Sequence, residues 1–281
     1  MKTARPLVRI VACGRGRVVQ SPKALAEVVR LTTKPVADIN LLYLGTAAFE
    51  DAAAFTAQTL GFSAAGVGAI EKLCLTRAEH TPSEEERRRW IVDWADAIIV
   101  SGGNTLAAME RWRELGVDLL LCEAAAKGTV MAGGSAGAIV WFSGGHSDSM
   151  DPATMLDADL DALDAHALAG WSYIRVEGLG IVPRAVTLCP HHDTRQSNGL
   201  LRCDDFDEML LRGTSAGWAG DVGICLEDQA ILVVEGDAYT CLASGMSQLA
   251  SIPARVYLKE VVGGTVVATE LTSGSIAADW R

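Results

Sequence analysis

Gly133-Gly134-Ser135-Ala136-Gly137 fits G-x-S-x-G, the pattern in which a serine stands on a tight turn between a strand and a helix. A nucleophile held in a strained backbone needs neighbours without bulk at Cβ, and positions 133, 134, 136, 137 and 138 are all Gly or Ala. Such a turn would aim the Ala136 amide at the oxyanion of a tetrahedral intermediate. The pentapeptide alone is equally satisfied by a glycine-rich turn with an incidental serine. A second loop, Gly102-Gly103-Asn104-Thr105, follows another apolar run and offers the Gly103 amide as a second donor. A serine hydroxyl also needs a base. Of five histidines, His191 and His192 follow Cys189-Pro190, and His146 lies in Gly144-Gly145-His146-Ser147-Asp148 as a rival. The acid orienting the imidazole would come from Asp148, Glu227, Asp221 or Asp193.

These residues need a scaffold that brings their loops together. Short β-rich runs are expected at Val8–Cys13, Ile39–Leu44, Ile70–Leu75, Ala97–Ser101, Thr129–Ala132 and Ala185–Leu188, with helical patterns between them. That alternation predicts a three-layer α/β/α sandwich with a mainly parallel sheet. Parallel sheets collect ligands outside the carboxyl ends of their strands, so the loops at 102–105, 133–137 and 189–193 should share one rim. Ser21-Pro22 marks a helix start, Thr81-Pro82-Ser83-Glu84 reads as a capping box, and Gly116 and Gly128 stop the helices Thr105–Leu115 and Val117–Lys127. Beyond about residue 220 come β runs at Gly223–Leu226, Ala230–Val234, Tyr239–Leu242, Arg255–Val261 and Thr265–Leu271. They predict a small antiparallel β addition: one domain over 1–281, with an α/β core at 1–220 and hairpins at 221–281 packed on it. The Asp- and Ala-rich stretch 150–170 reads as an exposed excursion.

Composition removes several classes of function. With 24 Lys and Arg against 35 Asp and Glu, the net charge of −11 argues against nucleic-acid binding. No uncharged apolar run approaches the roughly 18 residues of a membrane span, and Arg9 interrupts the run near the start that could have served as a secretory signal. Seven scattered cysteines without CxxC spacing suit free thiols in a reducing cytoplasm. No HExxH occurs, and Asp157-x-Asp159-x-Asp161 continues with Ala162 and Leu168 where a calcium loop needs Gly and Glu. Gly14-Arg15-Gly16 lacks the third glycine of a dinucleotide fingerprint, since Val19 stands there. Neither metal nor organic cofactor is expected. An α/β-hydrolase esterase would place its histidine late, yet none follows His192; a glutamine amidotransferase would need cysteine at position 135.

The blocks Ser101-Gly102-Gly103-Asn104-Thr105, Gly133–Ala138 with Trp141 and Gly144–Ser149, and Leu188–Asp193 stand in the order found in the peptidase E and cyanophycinase family, which the chain resembles from about Ile10 to about Glu235. That family comprises serine peptidases on the class I glutamine amidotransferase-like fold. The resemblance implies Ser135 as nucleophile, His191 as base, Asp148 as acid and Gly103 and Ala136 as oxyanion donors, with Glu227 the alternative acid. It implies hydrolysis of short peptides through an acyl-enzyme. The alternatives are a cyanophycinase-like hydrolase of β-aspartyl peptides and an inactive binding module. The expected partners are short peptides, not nucleic acid or membrane, and a homodimer is compatible with this reading. The chain departs from the family at Cys13-Gly14-Arg15-Gly16. It also departs over Thr194–Asp205, where Arg195 and Arg202 are the candidates for reading an acidic substrate residue.

Overall fold

The computed structural model describes residues 7–157, 159–182, 184–216 and 222–280. Its strands are β1 (Arg9–Cys13), β2 (Asn40–Leu44), β3 (Ala69–Leu73), β4 (Ala97–Val100), β5 (Val130–Gly134), β6 (Gly144–Ser147) and β7 (Ile174–Glu177). There follow β8 (Val186–Cys189), β9 (Val222–Leu226), β10 (Ala230–Glu235), β11 (Ala238–Ala243), β12 (Val256–Val262), β13 (Thr265–Leu271) and β14 (Ser273–Ser275). Two sheets result. One runs β14-β11-β10-β1-β5-β4-β2-β3, and the other β13-β12-β9-β8-β6-β7.

The strands β1, β5, β4, β2 and β3 are mutually parallel, and so are β6, β8 and β9. Burial on both faces explains why the parallel runs are continuously apolar. Along β2, Leu42 and Leu44 enter one core with Ile98, Val100 and Met131, while Leu41 and Tyr43 enter another with Val11, Ile99 and Phe62. The first core also takes in Leu188 and Ile224 from the second sheet. Helices Pro22–Thr32, Ala52–Ala64, Thr105–Leu115 and Val117–Lys127 fill the connections. Gly116 and Gly128 end the last two in the left-handed region, as their positions predict.

The late β runs do more than decorate an edge. β10 pairs antiparallel with β1 and carries β11 and β14, whereas β9 joins β8 in parallel and carries the β12–β13 hairpin. The expected boundary at 220–221, and the candidate acid Asp221, lie outside the described residues. The capping box falls two residues later than expected. Ser83 Oγ accepts from Glu86 N at 3.3 Å, and Ser83 N donates to Glu86 Oε2 at 2.9 Å. Thr81 is occupied elsewhere: its hydroxyl donates to Arg77 O at 2.8 Å and accepts from Arg111 Nη2 at 3.1 Å. No helix among the described residues is long and apolar enough to cross a membrane.

Candidate active site

Ser135 follows β5 with φ 57° and ψ −123°, a conformation costly for any residue with a Cβ. Close packing imposes it. A Cβ on Gly134 would lie 2.2 Å from Arg15 O, and one on Gly137 would lie 2.1 Å from Val100 O. Ser135 N donates to Cys13 O at 3.2 Å, and Ser135 O accepts from Ala138 N at 2.9 Å, fastening the turn to β1 and opening the helix Ala136–Ile139. That helix is buried and packs against strands of both sheets, β1, β4 and β5 on one side, β6 and β8 on the other.

The Gly102–Asn104 loop leaves β4 beside this turn. A Cβ on Gly102 would sit 3.5 Å from Ser135 Cβ, and Gly103, at φ +130°, rides so close to the neighbouring chain that its Cβ would meet Ala47 O at 2.1 Å. Asn104 caps the next helix by accepting from Ala107 N at 2.9 Å. Its amide nitrogen donates to Ser149 O at 3.0 Å, tying the loop to the 148–173 excursion. Among the described residues, the N–H groups of Gly103 and Ala136 donate to no protein acceptor. Both therefore remain available to an oxyanion, as donors at such a turn must be.

The strand-end rule brings the histidine and its partner together. β8 and β9 run parallel with Cys189 opposite Cys225, so the residues just past each strand are neighbours. His191 Nδ1 lies 2.7 Å from Asp228 Oδ1. Burial pushes the Asp228 carboxyl up, but His191, Gln229 and Arg15 outweigh it and hold the group below the usual carboxylate range. An ionised Asp228 can only accept, so the imidazole carries its hydrogen on Nδ1 and presents Nε2 as a base. Gln229 Nε2 donates to Asp228 Oδ2 at 2.9 Å, and Arg15 Nη1 approaches the same oxygen at 3.4 Å.

Asp228 replaces the expected acids. Asp148 instead accepts from Arg202 Nη1 and Gln196 Nε2, both at 3.1 Å. Burial raises its carboxyl, yet Arg202 and then His191 bring it below the ordinary value. Glu227 accepts from Ser247 Oγ at 3.0 Å and Arg255 N at 2.8 Å, fixing the β11–β12 connection. Asp193 accepts from Asp228 N at 2.7 Å and so positions the acid through its backbone. The signal for Asp228 was available in the sequence: it lies past the end of the run Gly223–Leu226, where the rule that singled out His191 applies equally.

The rival histidines are committed elsewhere. His146 is wholly buried, stacked on Tyr173 at 4.2 Å; Arg202 Nε donates to its Nδ1 at 3.2 Å, so Nε2 donates to Asp205 at 2.8 Å. Arg202 is itself fully buried in this network, and Arg195 folds back on Gly199 O, so neither guanidinium points to a substrate. His192 is buried near Tyr257, and burial drops its pKa to about 4. Because the folded value lies below the unfolded one near 6.5, this contribution to stability is complete above pH 6.5 and lost as pH falls towards 4. At 1.36 kcal/mol per pH unit, the loss is about 3 kcal/mol. His192→Gln should flatten the fall of urea-unfolding free energy between pH 7 and 4 by about that amount. Parallel curves for the two proteins would refute it.

Comparison with known proteins agrees with this geometry. Residues 11–242 match Peptidase family S51. A protein of Trypanosoma brucei brucei named G2/mitotic-specific cyclin-1 is 26% identical over 255 residues, covering 83% of this chain and 73% of that protein. The uncharacterized peptidase YgaJ of Bacillus subtilis is 51% identical over 61 residues, covering 22% of this chain and 26% of that protein. A crystal structure of a peptidase from an acI-B1 Actinobacterium superposes with a TM-score of 0.63 at 17% identity, covering 96% of this chain and 98% of that one. A putative peptidase E from Listeria monocytogenes gives 0.53 at 16% identity, covering 84% and 98%. Serine-bearing turn, paired histidine and overall architecture thus meet in one assignment: the chain belongs to peptidase family S51 and is a peptidase.

Proposed function

We propose that this peptidase is of the serine type and hydrolyses short peptides through an acyl-enzyme. The observation that carries the reading is the His191–Asp228 pair, 2.7 Å apart at the ends of adjacent strands, beside a serine held at φ 57°. Asp228 keeps the hydrogen on Nδ1, so Nε2 of His191 accepts the Ser135 proton as Oγ attacks the scissile carbonyl. The Gly103 and Ala136 amides take the developing oxyanion. His191 then protonates the leaving amine, the C–N bond breaks, and water attacks the acyl-serine with His191 again as base.

The walls of the rim support a short substrate. The excursion after β6 is joined to the loop after His191 by Trp171 Nε1 to Ser197 Oγ at 2.9 Å, Tyr173 hydroxyl to Gln196 at 3.0 Å and Ser197 Oγ to Asp151 at 3.0 Å. Joined loops of this kind narrow access to strand ends and favour small ligands over folded proteins. A cytoplasmic location fits the same reading, supported by seven free thiols among the described residues. A fluorophosphonate should label the protein once, on Ser135, with the adduct located by peptide mass spectrometry and lost in Ser135→Ala. Labelling at another residue, or none while a control serine hydrolase is labelled, would overturn the mechanism.

A further inference from the structure

β1 runs parallel to β5, so the segment after Cys13 leaves at the same rim as Ser135. Here it reads Gly14-Arg15-Gly16-Arg17. Its backbone lies against the nucleophile turn: Arg15 O faces Gly134, and Gly16 Cα is 3.8 Å from the Cβ position of Gly102, which itself touches Ser135 Cβ. The side chains of Arg15 and Arg17 turn outward and line a cleft of about 270 Å³ with Val18, Ser21, Gln229 and Ser244. The cleft is continuous with the acid of the site, since Ser244 Oγ donates to Gln229 Oε1 at 3.1 Å and Gln229 donates to Asp228.

Its charge is unusual for this molecule. In a chain of net charge −11, Arg17 has no ion-pair partner among the described residues, and Arg15 spends one nitrogen on Asp228 at 3.4 Å with its side chain 54% exposed. An arginine presents five N–H donors in a planar fork that matches a carboxylate. Asp228 is the carboxylate that faces Arg15 from the neighbouring wall, and it is already satisfied by His191 and Gln229. Both arginines therefore keep donors for an incoming anion.

We infer that the Arg15–Arg17 cleft is a carboxylate subsite, so that the favoured substrates are short peptides carrying a carboxylate close to the scissile bond. The inference rests on Ser135 marking the reacting centre, but the subsite can be measured without turnover. Two sources of the carboxylate are distinguishable, the free C-terminus of a dipeptide and an acidic side chain. In Ser135→Ala protein, calorimetric titration would compare Ala-Ala, its C-terminal amide, and Asp-Ala amide. At least one acid-bearing peptide should bind ten times or more tightly than Ala-Ala amide, and which one does so names the source. In the same background Arg15→Gln/Arg17→Gln should erase that difference, and Arg15→Lys/Arg17→Lys should restore part of it. Equal binding of all three peptides, or a preference that survives the Gln pair in a protein with unchanged melting temperature, would overturn the subsite. Such a failure would leave Ser135 labelling intact, whereas failed labelling with carboxylate-selective binding would overturn only the serine mechanism.

Discussion

Ser135→Ala should reduce kcat on any peptide the enzyme cleaves by about 10⁴ to 10⁶, the range seen when a triad serine is removed from a working oxyanion site. The effect is large because no other group can form the acyl bond, and the residual rate would come from the Gly103 and Ala136 donors acting on water. The melting temperature should hardly move, since alanine keeps a Cβ and therefore the strain at φ 57°. Ser135→Gly sharpens the point. Glycine adopts this backbone region freely, so the variant should be more stable by about 1 kcal/mol, after its own entropic penalty, while equally inactive. Steady-state assay paired with thermal unfolding reads both outcomes. A Ser135→Ala protein retaining a tenth of the activity would remove the serine from the mechanism.

Asp228→Asn should lower kcat by about 10⁴ with the fold intact, because asparagine can donate to Nδ1 and so favours the tautomer in which Nε2 is no longer a base. Asp148→Asn tests the same assignment from the other side. Asp148 faces the wholly buried Arg202, and breaking a buried ion pair by neutralising one partner costs about 3–5 kcal/mol. Its variant should therefore show a lowered unfolding free energy while His191 retains its carboxylate. The stability conferred by Asp148 is present above the ordinary aspartate range and fades as pH falls through its depressed folded value, so wild type and variant should converge in acid. If Asp148→Asn abolishes turnover at full stability and Asp228→Asn does not, the two carboxylates have exchanged roles.

Local signals carried the nucleophile turn and the helix ends with good fidelity. Gly116 and Gly128 stop their helices, and the expected strands Thr129–Ala132 and Ala185–Leu188 differ from β5 and β8 by a residue or two. Small residues at 133–138 are forced by backbone contacts with Arg15 and Val100, and that necessity is written in residue type. Long-range pairing is not written locally. Neither Gly-Gly-His-Ser of β6 nor Ile-Arg-Val-Glu of β7 has the apolar texture of a buried strand, because β6 is covered by packed helix and ring contacts and β7 is an edge. The choice between Asp148 and Asp228 depended on β9 lying parallel beside β8, a fact of topology that proximity in sequence to the elbow could not supply.

The three residues from Glu227 to Gln229 are the whole bridge between β9 in one sheet and β10 in the other. Gly14 presses on that bridge so closely that a Cβ there would stand 2.0 Å from Glu227 O. The nucleophile hangs from one slab and the imidazole from its neighbour, with the carboxylate at the seam. Any shear between the slabs must change how the ring meets the hydroxyl, so rigidity of the joint itself tunes proton transfer. Substitutions deep in the shared core, remote from any ligand, would then blunt turnover well before they loosened the fold.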